Sequence, residues 1–133
     1  MKAEAKKGKL KFWLMEPRPP FLLVTVCLTF LGTSIAWHNG FFNFLYFALA
    51  LAGTLLAHMS VDVLNDYFDY KSGLDLDTER TPFSGGSGLL PDGHLNPRSV
   101  YTLGLVFLGF VILIGAYFIF IWGWMLLPLV IVS

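Results

Sequence analysis

Three long apolar runs constrain this chain more than any other feature of its sequence. They cover residues 21–37, 41–64 and 100–122, near or above the roughly 17–25 residues that a helix needs to cross a bilayer. Hydrophobic residues make up 56% of the 133 residues and charged residues 14%, against about 45–50% and about 25% in soluble domains. The sequence therefore predicts an all-α, multi-spanning transmembrane helical bundle.

A fourth apolar run, at residues 124–133, is too short to cross a membrane, and the sequence stops inside it. We therefore expect three complete spans and the start of a fourth. Gly104, Gly109 and Gly115 in the third span should let helices approach closely. If the second helix continues into the polar connection, Gly73 is well placed to end it in a left-handed conformation. Residues 1–133 would form the amino-terminal part of one membrane domain within a larger bundle. A cleaved signal peptide is the competing interpretation of the first run. No small-residue cleavage site follows that run, however, and the second run begins almost at once.

The basic residues are strongly segregated, which predicts the orientation. Six of the nine precede the first run: Lys2, Lys6, Lys7, Lys9, Lys11 and Arg18. Positive charge stays on the cytoplasmic side, so the amino terminus and the polar connection at residues 65–98 should both lie in the cytoplasm. We expect a multi-pass protein of the cytoplasmic membrane. A formal net charge of zero gives no indication of a nucleic-acid partner, and the single Cys27 excludes an internal disulfide.

Acidic residues are concentrated where the second run ends and the polar connection begins. Asn43, His58 and Asp62 interrupt that run. Six of the nine acidic residues of the chain lie here: Asp62, Asp66, Asp69, Asp75, Asp77 and Glu79. If the second helix continues through Tyr70, spacings of three and four place several polar side chains within about 100° of arc. These are His58, Asp62, Asn65, Asp66 and Asp69. Carboxylates this close repel one another in a low dielectric, and a divalent cation removes the repulsion.

Oxygen donors without cysteine favour Mg²⁺ over Zn²⁺ at this position. Because Mg²⁺ commonly completes its coordination with substrate phosphate, we expect a phosphate or diphosphate substrate whose remainder dissolves in lipid. A polyprenyl diphosphate meets both requirements. Metal-assisted departure of diphosphate would leave an allylic cation, and the ring faces of Tyr67, Phe68 or Tyr70 could stabilise it. The alternative is an acidic helix cap and a solvated loop without a ligand.

The run Asn-Asp-Tyr-Phe-Asp-Tyr-Lys-Ser-Gly-Leu-Asp at residues 65–75 resembles the first aspartate-rich motif of the UbiA superfamily of intramembrane prenyltransferases. It looks most like the branch that prenylates dihydroxynaphthoate in menaquinone synthesis. The Arg18–Pro19 pair before the first run is also similar to the start of that family. The resemblance covers nearly the whole chain and about the first half of a family member. It implies a bundle of about nine helices and Mg²⁺-dependent transfer of a polyprenyl group from a polyprenyl diphosphate to an aromatic acceptor.

The resemblance also implies roles for individual residues. Metal and diphosphate binding would fall on Asn65, Asp66 and Asp69, with Asp66 and Asp69 as the catalytic carboxylates. The last aspartate of the broader motif corresponds to Gly73, so Asp75, two residues later, is the fourth candidate metal ligand. A second aspartate-rich motif is expected after a later helix, beyond the sequence in hand.

Several further residues are candidates for binding the substrate. Arg80 is the best placed, with Lys71 and Arg18 as additional cations for diphosphate oxygens and Tyr70 as an aromatic contact. The alternatives are an ion pair of Arg80 with Asp77 or Glu79 and, for Lys71 and Arg18, anchoring at the membrane interface.

Two smaller features and one rival function remain open. His58 and Asp62 either tune the acidic stripe or form a structural polar pair between helices. The segment at residues 81–88 is either an anion-binding nest or a flexible cytoplasmic loop. A non-enzymatic membrane module that binds or conducts a cation through the acidic stripe is the alternative to a prenyltransferase.

Overall fold

The chain forms three long helices in a computed structural model that describes residues 11–73, 87–123 and 131. The helices are α1 (Pro19–His38), α2 (Phe44–Ser72) and α3 (Pro97–Trp122), and the described residues contain no strand. Each helix is long and apolar enough to cross a membrane. The prediction of an all-α chain with three spans is therefore confirmed. The fourth apolar run lies outside the described residues, apart from Ile131.

The first helix begins at a turn that is built from prolines. Pro19 and Pro20 occupy its first turn, where a missing backbone N–H removes no helical hydrogen bond. Arg18, the residue before it, has a φ of 47° and is the only non-glycine residue of the described part with a positive φ. This left-handed conformation costs about 1–2 kcal/mol for a residue with a side chain. Other contacts of Arg18 must therefore hold it there.

A tight turn at residues 39–43 joins α1 to α2. Gly40 supplies the left-handed conformation of this turn, with a φ of 79°. Asn43 then caps α2, since its side-chain oxygen accepts the Tyr46 backbone N–H at 3.1 Å. The apolar run starts at residue 41, but the helix starts at Phe44 because of this cap. Asn43 thus begins the span and does not interrupt it.

The second helix is longer than the apolar run that it contains. Its 29 residues extend about 43 Å, compared with about 30 Å for the hydrocarbon core of a bilayer. The helix continues past residue 64 to Ser72, as the argument for one acidic face requires. Gly73 ends it in the left-handed conformation, with a φ of 82°. The acidic residues up to Asp69 are therefore fixed on a rigid helix.

The helices α2 and α3 pack closely at Gly104. A Cβ atom at this position would lie 2.7 Å from both Cγ and Cδ2 of Leu64, so only glycine allows the approach. The buried Ser60 hydroxyl donates to the Gly104 carbonyl at 2.9 Å across the same contact. At Gly109 and Gly115 a Cβ would meet nothing within 4 Å. The expectation that all three glycines bring helices together therefore holds only for Gly104 within the described residues.

The helix α1 buries none of its residues, and polar side chains are among its contacts with α2. The hydroxyls of Thr29 and Thr54 lie 3.0 Å apart, and the Thr25 hydroxyl shares a hydrogen bond with Nδ1 of His58. Hydroxyls and histidines commonly link helices in this way inside membranes.

The buried apolar core is small and lies at the acidic end of the bundle. Its members are Val63, Leu89, Leu90, Leu95 and Val100. They come from α2, from the segment at residues 87–96 and from the first turn of α3. Elsewhere the helices expose large apolar side chains, for example Leu28, Phe44 and Ile112, as a lipid environment permits. The polar end is thus the part of the chain that packs like a soluble domain.

Candidate functional site

Asp66 lies at the centre of the candidate site. Its side chain belongs to the polar end of α2, yet the residue is only 1% exposed. Arg18 Nη2 pairs with Asp66 Oδ1, and the Ser87 backbone N–H donates to Asp66 Oδ2 at 2.8 Å. Both carboxylate oxygens therefore have a donor, one from the residue before α1 and one from the segment before α3. Three separate parts of the chain meet at this carboxylate.

Glu16 is a second carboxyl group in the same cluster, and it is fully buried. Its Oε2 accepts the Ser87 hydroxyl at 3.0 Å, while Oε1 has no hydrogen-bond partner in the described part of the chain. Burial raises the pKa of Glu16 from 4.5 to about 7, and the neighbouring Asp66 carboxylate acts in the same direction. The Ser87 hydrogen bond and the Arg18 guanidinium oppose this rise in pKa. Glu16 is therefore close to half protonated at neutral pH.

Asn65 and Asp69 form a separate pair on the exposed side of α2. Asn65 Nδ2 donates to Asp69 Oδ2 at 3.1 Å, one helical turn apart. The sequence predicts a single group containing Asn65, Asp66 and Asp69. The structure brings the first and last together, and it turns Asp66 towards Arg18 and Ser87.

The donor chemistry of this end of α2 suits a hard cation. Asn65 and Asp69 present an amide and a carboxylate on an accessible face, with Asp66 between them in sequence. The described residues contain no group of three or more His, Cys, Asp or Glu side chains that could hold a metal ion unaided. Mg²⁺ needs only one or two carboxylates where water and substrate phosphate complete its coordination. These residues therefore fit Mg²⁺ as a site shared with a phosphate ligand.

The other predicted substrate-binding residues have varied surroundings. Lys71 is exposed, with Nζ 6.0 Å from the centroid of the Tyr67 ring. Tyr70 is half-buried against the apolar core, and Arg18 pairs with Asp66 instead of extending to a membrane interface. The remaining candidates lie outside the described residues: Asp75, Asp77, Glu79 and Arg80. Their predicted roles stay predictions.

His58 and Asp62 lie deeper in the membrane than Asp66. His58 Nε2 is 3.6 Å from Asp62 Oδ2, a distance too long for a direct hydrogen bond. The other ring nitrogen of His58 contacts Thr25 on α1. This arrangement favours the structural alternative, a polar pair that links two helices.

An apolar cavity of about 620 Å³ lies between the three helices. It is lined by Thr25, Leu28, Thr29, Gly32, Thr33, Ala36, Phe41, Phe42, Asn43, Tyr46, Phe47, Ala50, Thr54, Phe118 and Trp122. The α2 residue of this lining nearest in sequence to Asp66 is Thr54, twelve residues away. That separation corresponds to about 18 Å along the helix axis. On α2 the cavity thus lies away from the acidic end, and it reaches the turn at residues 39–43.

Sequence reasoning missed Glu16 and Ser87. Glu16 had one available signal, since it is a single acidic residue between the apolar stretch at residues 12–15 and the Pro17–Arg18 pair. No sequence signal pointed to Ser87, because its partners Asp66 and Glu16 are 21 and 71 residues away along the chain.

Two comparisons of the sequence with known proteins give matches. The family model described as the UbiA prenyltransferase family matches residues 23–133. The chain is also 29% identical over 100 residues to the 1,4-dihydroxy-2-naphthoate octaprenyltransferase of Bacillus subtilis (strain 168). That match covers 75% of this chain and 31% of the relative, so the chain spans about a third of its length. No solved structure matches the chain significantly. The resemblance seen at residues 65–75 is therefore confirmed.

Proposed function

This chain belongs to the UbiA prenyltransferase family, and we propose that it takes part in transferring a polyprenyl group from an allylic polyprenyl diphosphate to an aromatic acceptor. The observation that carries the proposal is the ion pair between the buried Asp66 carboxylate and Arg18 near the end of a membrane helix, beside Asn65 and Asp69. A buried carboxylate with a neighbouring guanidinium can bind a metal ion and a diphosphate together. A helix cap would not need to bury the carboxylate.

Each residue of the site has a distinct part in this proposal. Asn65, Asp66 and Asp69 would hold Mg²⁺, which when bound neutralises the charge that builds on the departing diphosphate. Arg18 offers its planar guanidinium to the diphosphate oxygens, a geometry that suits phosphate better than a lysine would. Lys71 and Arg80 would supply further positive charge to the diphosphate oxygens. Tyr70 would contact the substrate with its ring.

The apolar cavity is the proposed location of the prenyl tail. It begins about 18 Å from Asp66 along α2, so a long tail would reach it while its diphosphate lies at the acidic end. Its lining combines aromatic rings with threonine hydroxyls that already bond within the helices. Such a surface accepts a hydrocarbon without leaving polar groups unpaired.

The acceptor of the proposal is an aromatic compound such as dihydroxynaphthoate, which is the compound in the name of the Bacillus subtilis relative. The reaction would then belong to quinone synthesis. The acidic end would face the cytoplasm, because the basic residues at the start of the chain favour that side.

Mg²⁺-dependent binding of a prenyl diphosphate tests the proposal. The chain in lipid nanodiscs is titrated with geranylgeranyl diphosphate in the presence of Mg²⁺ and again with a chelator. We expect binding only with Mg²⁺, and its loss in Asp66→Asn and in Asp69→Asn. Asp92→Asn, at an exposed carboxylate before α3, is the control and should bind normally. Binding that survives both substitutions would contradict the assignment, and Mg²⁺ binding without any prenyl diphosphate would favour the cation module.

A further inference from the structure

We infer that Glu16 is a positioning residue for Asp66, acting through Ser87, and that it fixes where the Asp66 carboxylate meets Mg²⁺ and diphosphate. The inference rests on the proposed function. It assigns a role to a residue that lies ahead of the first membrane helix, 50 positions from the aspartate that it would serve.

Ser87 connects the two carboxyl groups directly. Its backbone N–H donates to Asp66 Oδ2 at 2.8 Å, and its hydroxyl donates to Glu16 Oε2 at 3.0 Å. The same hydroxyl oxygen accepts the Leu89 backbone N–H at 3.3 Å. A hydroxyl oxygen can accept one hydrogen bond while its proton is donated in another, so Ser87 serves both partners at once. Glu16 therefore holds the backbone of Ser87, and that backbone holds Asp66.

The segment that carries Glu16 is itself fixed at two further points. The Glu16 backbone N–H donates to the Phe12 carbonyl at 3.1 Å, which ends the short helical stretch at residues 11–15. The Phe12 ring stacks on His94 in the segment before α3, with centroids 4.3 Å apart and planes 11° apart. The position of Glu16 is thus set by the same segment that contains Ser87.

The surroundings of Glu16 argue for a role other than stability. It is 0% exposed and one of its oxygens has no hydrogen-bond partner in the described residues. Arg18 pairs with Asp66, and the Asp66 carboxylate repels the buried Glu16, a repulsion that an apolar residue at position 16 would remove. Hydrogen bonds to metal-ligating carboxylates typically change metal affinity by about 10–100-fold. The Ser87 N–H makes such a bond to Asp66, and Glu16 supports it through the Ser87 hydroxyl.

A Mg²⁺ titration at one fixed pH tests the inference without measuring turnover. The chain in nanodiscs binds geranyl diphosphate as the probe, and calorimetry gives the Mg²⁺ concentration for half-maximal binding. We expect Ser87→Ala and Glu16→Ala to raise that concentration about 10–100-fold. Glu16→Gln should recover most of the affinity, because its amide oxygen still accepts the Ser87 hydroxyl. Ser99→Ala, an exposed serine at the start of α3, is the matched control.

The outcomes separate the inference from the function on which it rests. Unchanged Mg²⁺ affinity in a folded Ser87→Ala chain would overturn the inference, because this variant keeps the backbone N–H that binds Asp66 and removes the hydroxyl that binds Glu16 and Leu89. Equal losses in Glu16→Gln and Glu16→Ala would also overturn it, and thermal midpoints identify any variant that fails to fold. A wild-type chain without Mg²⁺-dependent binding would overturn the proposed function, and this inference with it, before any variant is made.

Discussion

Arg18 combines a left-handed backbone with an ion pair to a buried carboxylate. The backbone conformation costs about 1–2 kcal/mol. Removing one partner of a buried ion pair costs about 3–5 kcal/mol, and the lower end suits a pair whose arginine side chain is 22% exposed. The ion pair therefore outweighs the backbone cost. The shape of the chain before α1 and the position of the Asp66 carboxylate depend on each other.

At the same scale, Glu16 makes the stability of the chain depend on pH. Because its pKa is raised from 4.5 to about 7, the folded chain holds a proton that the unfolded chain has released. The stability due to this proton is fully present below pH 4.5 and is lost as the pH rises through 7. We expect the free energy of unfolding to fall by up to about 3 kcal/mol over this range relative to Glu16→Gln.

The measurement is the thermal midpoint in detergent at pH 5 and pH 8, without divalent cations. The three histidines of the chain are present in both proteins, so the difference between wild type and Glu16→Gln isolates Glu16. Parallel pH profiles for the two proteins would refute the raised pKa.

The residues on α2 were predictable from sequence, and their partners were not. Spacings of three and four identify the stripe that contains Asp66 because helix geometry is local. Arg18 and Ser87 reach Asp66 across 48 and 21 residues, and no local pattern records such a contact. Spacing predicted that Asn65, Asp66 and Asp69 share one face. In the structure Asn65 bonds to Asp69 while Asp66 contacts Arg18 and Ser87, and the predicted roles of all three stay predictions.

At the scale of the elements, the contact between α2 and α3 is tightest at Gly104 among the described glycines. Gly104 allows Leu64 and Val63 to approach the backbone of α3, and Ser60 bonds to its carbonyl. The close approach also buries Val63 and Val100, which join α2 and α3 to the segment before α3. A disturbance at Gly104 would therefore reach the polar end of the bundle.

We expect Gly104→Ala to destabilise the chain by about 1–3 kcal/mol, because the added methyl would overlap Cγ of Leu64. Gly109→Ala is the matched control on the same helix, where a Cβ meets nothing within 4 Å. It should be neutral or slightly stabilising, since alanine favours a helix over glycine by about 1 kcal/mol. Thermal midpoints of both variants test this, and equal midpoints would show that the contact at Gly104 is not needed.

The sequence predicted these elements well because apolar runs and capping residues are local signals. Gly73 as the end of α2 and the continuation of the helix beyond residue 64 were both foreseen. The role of Gly104 was foreseen only as a general property of small residues. Which of the three glycines of α3 meets a neighbour depends on how the helices rotate, and that is set by packing.

At the scale of the whole molecule, Glu16, Asp66 and Ser87 lie at one end of the bundle and the turn at residues 39–43 lies at the other. Membership in the UbiA prenyltransferase family places such a bundle in a membrane. The proposed orientation puts the acidic end in the cytoplasm, on the side favoured by the lysines that precede α1.

Cysteine labelling tests this orientation. Cys27 is the only cysteine, so Cys27→Ser gives a background without thiols. With a maleimide that cannot cross membranes, Asn39→Cys should react on intact cells. Asp92→Cys should react only after the membrane is opened, because both positions are exposed but lie at opposite ends of the bundle. The reverse pattern would place the acidic end outside.

Two polar pairs between α1 and α2 are spaced four residues apart on each helix: Thr29 with Thr54 and Thr25 with His58. Arg18 and Asp66, seven and eight residues further along, form a third pair beyond the start of α1. Sliding one helix past the other by a single turn would separate every one of these partners, although the lipid-facing surfaces would hardly change. The two newly inserted helices therefore have one favoured alignment in the bilayer. The pairing of α1 with α2 during biogenesis also brings Arg18 to Asp66.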